Sequence, residues 1–185
     1  MATALKHLNA DEFLLWAEGM DGRWELFDGV PVMMSPERVL HGATKGEVYA
    51  ALRTAIRRAK LPCRAYPDGV AVRTSAKSTF QPDASVSCGR TPPIDALAID
   101  DPVIVVEVLS PSTASIDHGP KLSGYFSLPS VEHYLILDPE RRVVIHHKRG
   151  TGDAIETREL TDGVAKLDPP GFEVAVEAMF PPPSA

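Results

Sequence analysis

One run of seven residues, 103–109 (VIVVEVL), places the strongest constraint on how this 185-residue chain can fold. All but one of its residues are aliphatic and most are β-branched, which is typical of a strand buried on both faces of a sheet. The exception is Glu107. A carboxylate is costly to remove from water unless a cation, a metal ion or hydrogen bonds compensate its charge. The run therefore predicts a central strand whose glutamate has a specific partner.

A second acidic residue, Asp83, stands at the start of another predicted strand. It follows Pro82, which biases Gln81 toward an extended conformation, and residues 84–87 alternate as in a half-buried strand. If the two strands are neighbours, Asp83 and Glu107 together can hold a divalent metal ion. The alternative is an ion pair between Glu107 and a buried arginine or lysine, which would give the glutamate a structural role.

Further motifs resemble, in the same order, those of the Uma-two family (DUF820-type), a family of predicted restriction endonucleases in the PD-(D/E)xK nuclease superfamily. The matching segments are residues 24–29 (WELFDG), 34–36 (MSP) followed by His41, 81–83 (QPD), 105–113 (VVEVLSPST), 121–122 (KL) and 134–139 (YLILDP). The combination is much more specific than a PD followed by a distant E, which often arises by chance. The resemblance implies an α/β fold of the restriction endonuclease type, with a central mixed β-sheet flanked by helices.

The resemblance also implies a catalytic site that consists of Asp83, Glu107 and Lys121. Asp83, Glu107 and the backbone carbonyl of Val108 would bind one Mg²⁺ or Mn²⁺ ion, which would polarise the scissile phosphate and promote ionisation of a bound water. In the usual superfamily motif a lysine follows the second acidic residue by two positions, but here that residue is Leu109. Lys121 matches the family's Lys-Leu pair on the next predicted helix. The alternative for Lys121 is a helix lysine that extends to solvent.

Three other residues are accessory candidates for the same site. Glu25 stands where the family has a glutamate, although its place in a predicted hairpin also fits an exposed edge-strand carboxylate. His41 fits a packing or hydrogen-bonding residue, and near a phosphodiester it could donate a hydrogen bond. Asp117 could hold Lys121 in place.

Local signals predict the elements around this site. Asn9 and Glu12 form a capping-box pattern before a first helix that ends at Gly19, and Asp28-Gly29 is a hairpin turn signal. Apolar residues at helical spacing predict the longest helix between about residues 37 and 60. Other segments are predicted as strands at residues 63–66, 70–73, 132–137, 143–148, 155–160 and 172–176, and as a helix beginning at Pro120. The first two strands should form a meander with the Asp83 strand, and residues 89–102 should form a surface loop.

Composition limits the function classes. We expect one domain over residues 1–176 and a poorly ordered Pro-rich tail at 177–185. A net charge of -6 and a pI of about 5.5 argue against a broad basic surface for nucleic acids, but they permit a local basic groove. The sequence lacks a signal peptide's apolar core and a membrane span, so we expect a cytoplasmic protein. Cys63 and Cys88 are expected to be reduced.

Together these observations predict a metal-dependent endonuclease that hydrolyses DNA. A homodimer is expected because two active sites are the simplest way to cut both strands of a duplex. The alternative is a catalytically inactive protein of nuclease fold that serves as a binding or assembly module. Retention of Asp83 and Glu107 favours the nuclease, whereas the acidic pI and the displaced lysine favour the alternative.

Overall fold

The computed structural model describes residues 7–110 and 119–183 of the chain. Its helices are α1 (Ala10–Glu18), α2 (Val39–Ala59) and α3 (Pro120–Phe126). Its strands are β1 (Trp24–Phe27), β2 (Val30–Met33), β3 (Cys63–Pro67), β4 (Ala71–Ser75), β5 (Ser78–Phe80), β6 (Ala84–Cys88), β7 (Ala98–Ile99), β8 (Pro102–Val108), β9 (His133–Asp138), β10 (Val143–Arg149), β11 (Ile155–Leu160), β12 (Val164–Leu167) and β13 (Phe172–Ala175). None of the helices in these described ranges is long and apolar enough to cross a membrane.

The central sheet has six strands in the order β11-β10-β9-β8-β6-β3. Strand β8 runs parallel to β9 and antiparallel to β6, so the sheet is mixed. A second sheet has the order β2-β1-β5-β4-β7, and β12 pairs with β13 as a separate hairpin. The predicted α/β fold with a mixed sheet is confirmed.

Strand β8 is buried on both faces, as its sequence predicts. Ile104, Val106 and Val108 pack in one core cluster with α2, where Val48 and Leu52 are fully buried. Val105 belongs to the cluster on the other face, with Tyr125 of α3 and Tyr134 of β9. The strand that carries Glu107 therefore lies between two apolar layers.

Two local predictions are confirmed in detail. The Asn9 side chain accepts a hydrogen bond from the Glu12 backbone N–H, and the Glu12 carboxylate accepts one from Asn9, both at 2.9 Å. Asp28 and Gly29 have φ values of 44° and 85° and join β1 to β2. This is the backbone conformation that a tight hairpin between right-twisted strands requires.

Helix α3 packs unusually close to β5. Pro120 opens the helix at its first turn, and Gly124 faces the ring of Phe80. A Cβ atom built at Gly124 would lie 2.6 Å from Cε2 of Phe80. The missing side chain therefore allows the helix to approach the sheet and brings Lys121 toward the core.

The predicted meander is wrong. Strand β3 pairs directly with β6, but β4 pairs with β5 and β7 in the other sheet. The turn at Gly69, whose φ is 92°, sends the chain from one sheet to the other, because Ala71 and Val72 are buried in clusters outside the α2 core. The loop predicted at residues 89–102 accordingly contains β7, which adds to the edge of the second sheet.

The expectation of reduced cysteines is also wrong. Cys63 opens β3, Cys88 closes β6, and the two are direct partners in the antiparallel register. Their sulfur atoms form a disulfide with an S–S distance of 2.01 Å. The sequence did not predict this pairing, because the two cysteines become neighbours only through the register of β3 and β6.

The packed chain extends beyond the predicted boundary at residue 176. A 3₁₀-helix spans Val176–Met179, and Met179 and Phe180 are buried in the α2 core cluster. The guanidinium group of Arg142 lies 5.2 Å from the Phe180 ring centroid. Residues 177–180 of the predicted tail are therefore part of the fold, because the side chains of Met179 and Phe180 pack in that core.

Candidate active site

The three predicted catalytic residues meet in one cleft. Its volume is about 340 Å³, and Asp83, Glu107 and Lys121 all line it. Glu25, His41 and Val108 line the same cleft. Asp117 lies outside the described residues. The cleft is bordered by β1, by residues 32–38, by the first turns of α2 and α3, by Asp83 before β6 and by the end of β8, so segments that are distant in sequence contribute to it.

Asp83 directly precedes β6, beside β8. It is 3% exposed, and its backbone N–H donates to the carbonyl of Val106 at 2.9 Å. Its Oδ2 atom accepts a hydrogen bond of 2.6 Å from the backbone N–H of Val108, while Nζ of Lys45 lies 2.6 Å from Oδ1. A backbone donor and a cation therefore orient the carboxylate.

His41 projects from the first turn of α2 toward the same strand end. Its Nε2 atom lies 2.7 Å from the carbonyl oxygen of Val108 and 3.6 Å from Oδ2 of Asp83. Since a carbonyl can only accept, Nε2 carries the proton in this contact. Nδ1 is buried without a hydrogen-bond partner among the described residues, 3.6 Å from the carboxylate of Glu37. His41 thus orients the predicted metal-binding carbonyl, as a hydrogen-bonding residue would.

Glu107 receives two donors from α3. Its Oε1 atom accepts from Nζ of Lys121 at 2.8 Å and from the hydroxyl of Tyr125 at 2.7 Å. The two donors are four residues apart and therefore share one face of the helix. Burial raises the pKa of Tyr125 well above its usual value, and the charges of Glu107 and Glu25 raise it further. The phenol therefore remains a proton donor to Glu107.

Lys121 lies between two carboxylates. Besides Glu107, its Nζ atom contacts Oε1 of Glu25 at 3.0 Å, and that oxygen accepts the backbone N–H of Gln81 at 2.8 Å. Lys121 is 2% exposed, so it is not a lysine that extends to solvent. Glu25 is 5% exposed and lies on β1, which has neighbours on both sides, so the edge-strand interpretation is wrong.

Sequence reasoning missed a second set of charges around Asp83. Oxygen atoms of Glu37, Asp68 and Asp83 lie within 4.8 Å of one another. Lys45 contacts all three carboxylates, and Arg23 contacts those of Glu37 and Asp68. The cluster is thus a network of ion pairs that borders the predicted metal site.

A faint signal for part of this cluster existed in the sequence. Glu37, His41 and Lys45 recur every four residues, which is the spacing of one helix face. Asp68 and Arg23 had no such signal, because both lie in connecting segments that only the fold brings together. Tyr125 could be placed on the face of Lys121, but its bond to Glu107 could not be predicted.

The donor set fits a hard divalent cation. Asp83 directly precedes β6, Glu107 lies on the adjacent β8, and Val108, whose carbonyl contacts His41, lines the same cleft. Carboxylate and carbonyl oxygens are the ligands that Mg²⁺ and Mn²⁺ prefer. Leu109, at the position of the usual lysine, packs instead against the apolar cluster of Tyr125. The ammonium group nearest to Glu107 among the described residues is therefore that of Lys121.

Comparisons with known proteins identify the family and the fold of this chain. The sequence model of the Uma2 (Uma-two) family, described as "Putative restriction endonuclease", matches residues 10–179. An uncharacterized protein of Synechocystis sp. is 26% identical over 183 residues, which cover 94% of this chain and 91% of the relative. A crystal structure of "a putative nuclease belonging to DUF820" from Anabaena variabilis superposes with a TM-score of 0.74 and 17% identity. That match covers 94% of this chain and 97% of the other, and it shows the shared fold.

Proposed function

Because this chain belongs to the Uma2 family, we propose that it is a metal-dependent endonuclease that hydrolyses the phosphodiester bonds of DNA. One observation carries the proposal. Asp83, which directly precedes β6, Glu107 of the adjacent β8 and Lys121 of α3 line one cleft. Two carboxylates and a cation are the groups that metal-assisted phosphodiester hydrolysis needs.

In this proposal Asp83, Glu107 and the Val108 carbonyl hold one Mg²⁺ or Mn²⁺ ion. The ion, when bound, supplies a Lewis acid for the phosphate and lowers the pKa of a water molecule. His41 keeps the Val108 carbonyl oriented through its 2.7 Å contact, and Val108 in turn orients Asp83 through its backbone N–H. The ligands are therefore held in place before metal and substrate bind.

Lys121 takes the part of the lysine that is missing at Leu109. Its ammonium group is held 2.8 Å from Glu107 and 3.0 Å from Glu25. A cation held this rigidly in a partly desolvated cleft stabilises negative charge that develops on the phosphate, without reorganisation during the reaction. Tyr125 and Glu25 position Lys121 and Glu107 relative to each other.

The test is cleavage of plasmid and single-stranded DNA by purified protein with Mg²⁺, Mn²⁺ or EDTA. We expect metal-dependent cleavage that Asp83→Ala and Glu107→Ala abolish, because each removes a metal ligand. Asp153→Ala, which removes an exposed carboxylate from a loop, is the matched control and should cut normally. Undiminished cleavage by either folded ligand variant would contradict the assignment.

A second candidate function is a nuclease-fold module that binds but does not cut. The pairing of both carboxylates with lysines favours it, since Lys45 and Lys121 compensate Asp83 and Glu107 without a metal ion. This candidate predicts that Mn²⁺ leaves the melting temperature unchanged and that DNA is bound but stays intact. The nuclease predicts a higher melting temperature in Mn²⁺, because a ligand of the native state stabilises it.

We also propose that the protein acts as a homodimer. A twofold dimer supplies two cleavage sites for the two strands of a duplex, and it is the commonest symmetric assembly. Light scattering should give twice the chain mass of 20.0 kDa at the concentrations used for cleavage. A single-chain mass across those concentrations would contradict the dimer and leave the cleavage chemistry untouched.

A further inference from the structure

Lys45 lies where three carboxylates converge. Its Nζ atom is 2.6 Å from Oδ1 of Asp83 and 3.0 Å from Oδ2 of Asp68, and it also contacts Oε1 of Glu37. Oxygen atoms of the three acidic residues lie within 4.8 Å of one another. Carboxylates that converge in this way commonly share a divalent ion, yet here an ammonium group occupies the centre.

We propose that Lys45 is a positioning residue whose ammonium group takes the place of a second divalent ion beside Asp83 and limits the site to one metal ion. Two-metal nucleases hold their ions about 3.5–4 Å apart, with a shared carboxylate between them. Asp83 is such a shared group here, because it contacts Lys45 through Oδ1 and belongs to the predicted metal site with Glu107. The inference rests on the proposed function, since it concerns the number of ions that this function uses.

The balance of charges in the cluster favours a cation at the position of Lys45. Glu37, Asp68 and Asp83 carry three negative charges, and Lys45 and Arg23 carry two positive ones. A neutral residue in place of Lys45 would leave two negative charges uncompensated, which is the charge that one divalent ion neutralises.

Lys45 is also held in place by burial and by its contacts. Its Nζ atom contacts a carboxylate of each of the three acidic residues. The side chain of Lys45 is only 7% exposed, so solvent ions do not readily replace its ammonium group.

The experiment counts Mn²⁺ ions per chain in metal-free protein, by calorimetric titration and by electron paramagnetic resonance of free Mn²⁺. Lys45→Met replaces the ammonium group by an apolar chain of similar length and should bind one more ion than the wild type. Lys45→Arg keeps the positive charge and should bind the wild-type number. Lys45→Met/Asp68→Asn should lose the additional ion, because one of the converging carboxylates is neutral.

Arg57→Met is the matched control, since it removes one positive charge from an exposed position on the same helix. It should bind the wild-type number of ions. If Lys45→Met is unfolded in EDTA, Mn²⁺ should restore its fold, and a protein that stays unfolded in excess Mn²⁺ overturns the proposal. A folded Lys45→Met protein that binds no additional ion overturns it as well. If the wild type binds no Mn²⁺, the proposed function is contradicted. The difference in the number of bound ions between the wild type and Lys45→Met still tests the role of Lys45.

Discussion

Helices α2 and α3 each bring a lysine to a buried carboxylate, but the surroundings of the two lysines differ. Lys45 of α2 contacts Asp83 together with Glu37 and Asp68, whose side chains are 31% and 26% exposed. Water therefore solvates Glu37 and Asp68, whose ion pairs with Lys45 are screened, whereas the pair of Lys45 with Asp83 is buried. The ionised form of Glu37 is still favoured: burial opposes it, but the hydrogen bond and charge of Lys45 outweigh burial and lower the pKa of Glu37.

Lys121 of α3 has much drier surroundings. The side chains of its partners Glu107 and Glu25 are 4% and 7% exposed. In such a site each charge depends on its protein partners, and removal of one partner leaves a buried charge uncompensated. The same pairing of a lysine with carboxylates is therefore partly solvated on the α2 side of the cleft and belongs to the core on the α3 side.

The largest expected effect is on the free energy of unfolding, in Lys121→Met compared with Lys45→Met. Lys121→Met should lower the free energy of unfolding by about 3–5 kcal/mol, because it leaves two buried carboxylates without that ammonium group. Lys45→Met should lower it by about 1–3 kcal/mol, because solvent compensates Glu37 and Asp68 and the buried Asp83 keeps its hydrogen bond from the Val108 backbone N–H. Urea unfolding in EDTA measures both values, and Lys77→Met at an exposed turn should change little.

A second variant makes this comparison sharper. Lys121→Met/Glu25→Gln removes one of the carboxylates that Lys121→Met leaves unpaired, so it should be more stable than Lys121→Met alone. Equal stability losses in Lys45→Met and Lys121→Met would mean that solvent exposure does not distinguish the two clusters. Cleavage should be lost in Lys121→Met at temperatures where the variant remains folded.

Much of the fold could be predicted because its signals are local. The Asn9 capping box, the Asp28-Gly29 turn and the aliphatic run around Glu107 each depend on residues that are neighbours in sequence. Asp83 could be placed beside Glu107 because two predicted strands, each with one carboxylate, can lie side by side and hold a metal ion. Lys121 was identified through the family resemblance alone, since the usual motif position is occupied by Leu109.

The rest depends on contacts between distant segments. Lys45 meets Asp68, which is 23 residues away in a turn, and no periodicity relates the two. Cys63 and Cys88 are separated by 25 residues and become partners only through the β3–β6 register. The path of β4 into the second sheet was also hidden, because a turn signal says where the chain bends but not which sheet it enters.

The stabilities of the Lys45 and Lys121 variants are best compared above about pH 6.5, because a histidine pair makes the free energy of unfolding depend on pH below that value. Nδ1 of His133 lies 2.8 Å from Nε2 of His146. Burial lowers the pKa of each histidine from 6.5 to about 4. The charge of protonated His133 lowers the pKa of His146 further. A hydrogen bond to the Pro169 carbonyl partly opposes the effect of burial on His133. Between these values the unfolded chain binds more protons than the folded one, so stability falls as the pH falls from about 6.5 toward 4. The loss should be on the order of 3 kcal/mol for each histidine.

Urea unfolding at a series of pH values measures this slope. His146→Gln should reduce it, because the amide does not titrate and only His133 then contributes to the slope. His7→Gln, which replaces an exposed histidine, is the control and should retain the wild-type slope. A slope that persists in His146→Gln would assign the acid sensitivity to other groups, including the carboxylates of the cleft.

The smallest expected effect separates the packing of the two helices from their charges. Gly46 of α2 is exposed, and a Cβ atom there would meet no heavy atom within 4 Å. Gly46→Ala should therefore raise the free energy of unfolding by about 0.5–1 kcal/mol through helix propensity. Gly124→Ala has the same intrinsic gain, but its Cβ would lie 2.6 Å from Phe80, so either the ring or α3 must move.

The Phe80 ring has little room to move, because its centroid lies 4.7 Å from that of Phe27 and 5.5 Å from that of Tyr125. Overpacking of this kind costs about 1–3 kcal/mol, so Gly124→Ala should be less stable than the wild type by about 1 kcal/mol after the propensity gain. A shift of α3 would also move Lys121 away from Glu107, so the cleavage rate should fall although no group in the proposed mechanism has changed. Urea unfolding and cleavage assays on Gly124→Ala and Gly46→Ala measure the two effects together. If Gly124→Ala were as stable and as active as Gly46→Ala, the close approach of α3 to β5 would not be what positions Lys121.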